Sequence, residues 1–168
     1  MRIMGIDPGS RITGYGVVEV SGGRTVMLIS GCVHAEAGSF PERLKQIYDG
    51  IYQIALAFQP DEMAIEQVFL HKNADSALKL GQARGAAICG ALAANLPVHE
   101  YSARQVKLAL VGKGNADKLQ VQHMVKVLLG SSERMAIDAS DALGVALCHA
   151  HTSQTEQRIR NMTRGARR

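Results

Sequence analysis

The sequence predicts an α/β domain, a mixed sheet of five strands flanked by helices. Three observations lead there: short β-rich apolar runs bounded by Gly, Pro and Ser, apolar residues at helical spacing between and after them, and a helix separating the third run from the fourth. A chain of 168 residues, 46% hydrophobic and 20% charged, has length for one core and little for a second.

Residues 2–7 read as a buried strand that ends on Asp7. Pro8-Gly9-Ser10 supplies a turn, and Tyr15–Val20 is a second strand. Ser21-Gly22-Gly23 is a hairpin turn into a third strand over Thr25–Val33, so the chain opens with an antiparallel meander. Pro41 suits a first helical turn, and Leu44, Ile47, Tyr48, Ile51, Ile54 and Ala55 repeat at helical spacing up to Pro60. Met63-Ala64-Ile65 then forms a short apolar strand ending on Glu66. A strand reached through a helix is expected to cross over right-handed and lie parallel to the first, which brings Asp7 and Glu66 to one edge of the sheet. Asn73 is placed to cap a long helix running to about Ala94, and Pro97–Glu100 offers a fifth strand. Helices over about Ala103–Leu110, Ala116–Leu129 and Ala136–His149 complete residues 1–153. The remainder, 154–168, reads as a basic, disordered tail.

The net charge of +4 lies in that tail, where Arg158, Arg160, Arg164, Arg167 and Arg168 stand against Glu156 alone. The high pI is therefore weak testimony for a nucleic-acid partner. Local distribution says more: Arg104, Lys107, Lys113, Lys118 and Lys126, opposed only by Asp117, could form a stripe along a phosphate backbone or an ordinary solvated helix face. Three widely spaced cysteines give neither a disulfide framework nor a zinc motif, which fits a reducing cytoplasm. No leader and no run of ~18 apolar residues is apparent, so neither export nor a membrane is expected.

The chemistry-bearing residues are acids. Asp138 and Asp141 are three apart in a helical segment, hence on one face a turn apart, although acids in a first turn also simply suit the helix dipole. With Asp7 and Glu66 they would form a cage of hard oxygen ligands. Carboxylates so gathered repel one another unless a cation compensates, which points to Mg²⁺, two ions per subunit with Mn²⁺ able to substitute. Two ions about 4 Å apart would activate a water and stabilise the leaving 3′ oxygen of a phosphodiester. No Ser-His-Asp or Cys-His arrangement competes. The glycine turn Asp7-x-Gly9-x-x-x-x-Gly14-x-Gly16 would let a backbone or phosphate approach this edge. ATPases and sugar kinases of the actin type carry a similar turn, but their two lobes need roughly twice this length. His149 lies eleven residues beyond Asp138, about 16 Å along a helix, so His149 and His151 are taken as helix-end residues outside the cage.

Longer motifs sharpen this. Gly5-Ile6-Asp7-Pro8-Gly9-Ser10-Arg11-x-Thr13-Gly14-Tyr15-Gly16, Ala64–Phe69, Lys72–Gly85, Ala103–Lys107 and Asp138–Leu143 resemble the RuvC family of bacterial Holliday-junction resolvases over about residues 1–151. The resemblance implies a ribonuclease H-like fold, a homodimer, and paired Mg²⁺-dependent nicks in opposite strands of four-way junction DNA, leaving 5′-phosphate and 3′-hydroxyl ends. It assigns the catalytic, metal-holding cage to Asp7, Glu66, Asp138 and Asp141. It also implies phosphate contacts for Lys72, Lys107 and Lys118, beside Arg104 from the basic stripe, and a branch-migration partner of the RuvA and RuvB type. Phe69, just past Glu66, could stack on bases at the junction centre or be a packed loop residue, and the resemblance favours DNA. The helix after Asn73 carries Gly81, Gly85, Ala74, Ala77 and Ala86, small residues that would let a twofold mate, or a helix of the same chain, come close. The competing class is a noncatalytic junction-binding protein whose acids serve structure only.

Overall fold

The computed structural model of the chain describes residues 1–68, 73–132 and 134–165. Phe69 and Lys72, both expected to touch DNA, lie outside the described residues.

Three strands, β1 (Arg2–Asp7), β2 (Ile12–Ser21) and β3 (Arg24–His34), form the antiparallel meander, and helix α1 (Phe40–Phe58) leads to β4 (Glu62–Glu66). Helix α2 (Ala74–Ala93), strand β5 (Val98–Tyr101) and helices α3 (Ala103–Val111), α4 (Lys118–Leu129) and α5 (Ile137–Gly165) follow. The strand order is β3-β2-β1-β4-β5, with β4 parallel to both β1 and β5, so the sheet is mixed as expected. Register pairs Ile6 with Ile65, which sets Asp7 and Glu66 side by side where two neighbouring parallel strands end.

Side-chain alternation divides the sheet into two faces. Met4, Ile6, Val17, Met63 and Ile65 point to α1 and α2 and build one core with Ile47, Ile51, Ala83, Ala87 and Ala91. Ile3, Val18 and Ala64 point the other way, to Leu143, Ala146 and Leu147 of α5, which α3 and α4 cover in turn with Val106, Leu110, Val121 and Val125. Asp7, Glu66, His99 and Tyr101 share this second face by the same alternation.

Helix α5 lies unusually close to the sheet because glycines clear its path. A Cβ on Gly5 would stand 2.0 Å from the Ala142 carbonyl oxygen, and one on Gly14 would stand 2.0 Å from that of Asp138. One on Gly16 would meet Leu143 Cδ2 at 2.5 Å. The backbone that the glycine turn admits is thus the chain's own.

Local signals explain most boundaries. Glu42 accepts from the Ser39 N–H at 2.6 Å at the start of α1, and Asn73 accepts from Ser76 at the start of α2. Asp117 and Gln120 cap each other's backbone, so α4 begins at Lys118, two residues later than expected. The larger difference is α5. The sequence predicts an end near His149 and a disordered 154–168, whereas the helix continues to Gly165. No glycine or proline interrupts residues 145–164, so nothing in the backbone stops the helix, and the hydroxyls of Thr152, Thr155 and Thr163 find acceptors on carbonyls of the preceding turn. None of the described helices is long and apolar enough to cross a membrane.

Candidate active site

The acids at the strand ends meet the first turn of α5. Asp7 and Glu66 are held by adjacent strands, while Asp138 and Asp141 arrive on the helix that Gly14 and Gly5 allow to press down. Their mutual field is plain at Asp7, whose carboxyl is pushed up to about 7, first by burial and then by the charges of Asp141, Glu66 and Asp138. Glu66 is also raised, by burial and then by Asp141. The four carboxylates expected to converge from distant stretches of chain therefore do so.

Lys118, at the start of α4, places its ammonium 2.6 Å from Asp141, and that hydrogen bond is the main reason its own pKa rises. It was expected to face a phosphate; it also sits inside the acidic group. Two clefts flank Glu66. One, of about 240 Å³, is lined by Lys107, Lys118, Asp141, Ala103 and Val106; the other, of about 250 Å³, by Asp7, Pro8, Gln67, Val68 and Leu80. Arg104 lines neither. It is exposed in the first turn of α3, with its stem against Gly114.

Supports around the site were not visible in the sequence. Arg84 of α2 donates from Nε to the Glu66 carbonyl at 3.0 Å and lies 2.8 Å from the Glu100 carboxylate, which fixes the end of β4. Thr13, fully buried, closes the turn after Asp7 through Gly9, donating to its carbonyl at 2.9 Å. Arg43 reaches from α1 to the carbonyls of Ala35 and Ser10. Cys32, on the strand beside Gly14, has its thiol raised by burial and by Asp138, so it borders the acids too.

The histidines are the main correction. His149 is not at a helix end: it is 3% exposed in the middle of α5, with Nε2 bonded to Glu62 and Nδ1 2.7 Å from the Tyr101 hydroxyl. Its distance from the acids holds, since Glu62 starts the strand that Glu66 ends.

Comparison with known proteins agrees with this geometry. A model of the family "Crossover junction endodeoxyribonuclease RuvC" matches residues 3–149. The chain belongs to the RuvC family. The crossover junction endodeoxyribonuclease RuvC of Methylococcus capsulatus is 63% identical over 97% of this chain and 98% of its own length. That of Shewanella baltica is 61% identical over 91% and 88%. Among solved structures, Thermus thermophilus RuvC in complex with a Holliday junction substrate superposes with a TM-score of 0.87 at 34% identity, covering 93% of this chain and 96% of that one. The ribonuclease H-like fold expected from the sequence is thereby shown.

Proposed function

We propose that this chain is a structure-specific endonuclease that resolves Holliday junctions by paired, Mg²⁺-dependent nicks in opposite strands during DNA recombination and repair. The observation that carries the reading is the meeting of Asp7, Glu66, Asp138 and Asp141 at one end of the sheet, in a family whose relatives are named crossover junction endodeoxyribonucleases. The Thermus relative, solved in complex with a Holliday junction substrate, supports four-way DNA as the substrate.

An all-oxygen donor set with one carboxyl raised to about 7 by burial and by its neighbours' charges fits a hard divalent cation, which would favour the ionised form of Asp7. Asp7, Glu66, Asp138 and Asp141 would hold it. Bound Mg²⁺ supplies activation of the attacking water and neutralisation of charge at the scissile phosphate. The chain's own residues do the rest. Arg84 holds the Glu66 backbone in place, and Gly14 sets the depth of Asp138. Lys107 and Lys118, on the wall of the cleft beside Glu66, offer cations to the DNA backbone, with Arg104 exposed in the first turn of α3 and Lys72 and Phe69 in the segment following Glu66 in sequence. Lys118 holds a positive charge against Asp141.

A homodimer through α2 completes the reading, because a pseudo-symmetric junction asks for two cages related by a twofold axis. Gly81 and Gly85 face open space, and Leu78 on the same helix is 67% exposed. A RuvA–RuvB branch-migration partner and action in the cytoplasm accord with this role. Incubating four-way junction and linear duplex with the protein, with and without Mg²⁺, and mapping the nicks tests it. Symmetric nicks confined to the junction with Mg²⁺ are expected; binding without any nick would favour a noncatalytic junction binder.

A further inference from the structure

The far end of β4 holds a second group of potential ligands that no step above uses. Glu62 opens β4, His99 lies on β5 opposite Ala64 on the same face of the sheet, and His149 comes down from α5. One ring nitrogen of each histidine and a Glu62 carboxylate oxygen all lie within 4.8 Å of one another. The Glu62 oxygen is central: His149 Nε2 is hydrogen-bonded to it, and His99 Nε2 stands 3.5 Å away. The two imidazoles stack with centroids 4.4 Å apart, so both inner nitrogens face one carboxylate.

A hydrogen-bonded triad explains only part of this. His99 Nε2 is buried and has no hydrogen-bond partner, a cost that a buried polar atom carries unless something binds it. The His99 side chain as a whole is 41% exposed and that of Glu62 30%, so the group lies close to the protein surface. His149 already has the outer contact common to metal-bound histidines, Nδ1 against the Tyr101 hydroxyl at 2.7 Å, whose oxygen can accept a hydrogen bond from Nδ1–H once Nε2 binds an ion.

We propose that Glu62, His99 and His149 form a site for a divalent transition ion, Zn²⁺ by donor type, separate from the carboxylate cage. Two imidazoles and one carboxylate with a water make a four-coordinate zinc set whose neighbouring donors stand roughly 3–3.5 Å apart; His99 Nε2 is already at that range from the Glu62 oxygen, and the hydrogen-bonded His149–Glu62 pair would open as the ion takes the place of its proton. The same donors suit Mg²⁺ poorly, whereas the all-oxygen cage suits it well, so the two ions sort themselves by chemistry. An ion here would tie β4, β5 and α5 together. Since β4 ends on Glu66 and α5 begins with Asp138 and Asp141, it would pin together two of the elements that carry the cage.

The test is Co²⁺ titration of the full-length protein, read by visible absorption, with Zn²⁺ then added and thermal melting followed. The expected result is one Co²⁺ with the intense bands of a four-coordinate site, displaced by Zn²⁺ but not by excess Mg²⁺, and a Tm raised by Zn²⁺. His99→Phe, which keeps a ring against His149, and Glu62→Gln should each lose the bands and weaken Zn²⁺ binding at least about tenfold. Asp7→Asn/Asp141→Asn should keep the bands. Weak bands typical of a six-coordinate ion in the unaltered protein, or bands that survive His99→Phe and vanish in the cage variant, would overturn the proposal.

Discussion

Gly14→Ala tests whether the sheet sets the depth of the helix that bears two of the acids. The added Cβ would stand 2.0 Å from the Asp138 carbonyl oxygen, 2.3 Å from its carbonyl carbon and 3.0 Å from the Ala139 nitrogen. Ordinary contact needs about 3.5 Å, and all three atoms are backbone, so no rotamer change relieves the clash. The first turn of α5 has to retreat by roughly 1–1.5 Å. Overpacking of this kind costs about 1–3 kcal/mol, a Tm loss on the order of 3–10 °C at this size. Misplacement by about 1 Å at a catalytic group costs on the order of 10²-fold in rate. Gly16→Ala is the comparison, because its Cβ meets the Leu143 side chain, which can shift while the carboxylates stay put. Junction cleavage at saturating Mg²⁺ and thermal melting should therefore separate the two: similar Tm losses, but a large rate loss only for Gly14→Ala. Cleavage by Gly14→Ala within about twofold of the unaltered protein would refute the reasoning.

Without divalent metal, the Asp7 carboxyl is ordinary in the unfolded chain, near 3.8, and about 7 in the fold, so the native state binds the extra proton between those values. Stability should fall as pH rises from about 4 through 7, and Mg²⁺ should flatten the decline; a metal-free Tm that rises over this range would contradict the assignment. Lys107→Ala and Lys118→Ala should each reduce the salt dependence of junction binding, lowering the log–log slope by about one, as measured by titration across salt concentrations. Gly81→Ala has nothing within 4 Å to strike, so as a monomer the chain should be stabilised by about 0.5–1 kcal/mol while sedimentation shows a weaker dimer.

Much of the fold was readable because period and punctuation agree. The run ending on Asp7, the apolar Met63-Ala64-Ile65 and the crossover rule together set β1 beside β4, and this alone brought Asp7 to Glu66. The three-residue spacing of Asp138 and Asp141 gave their shared face. What stayed hidden depends on pairings that local sequence does not encode. His149 has no neighbour in the chain that reveals Glu62 or Tyr101, since strand order and helix depth bring them together across separations of 87 and 48 residues. Arg84 on the Glu66 carbonyl is the same case across α2. Composition misled at the C-terminal end, where the arginine-rich run reads as disorder although arginine is compatible with a continuing helix.

The most direct measurement is single-turnover cleavage of a synthetic four-way junction by Asp7→Asn, with junction affinity and melting determined alongside. The account predicts a folded variant that still binds the junction but has lost Mg²⁺-dependent nicking by more than about 10²-fold. Nicking at the rate of the unaltered protein would contradict it.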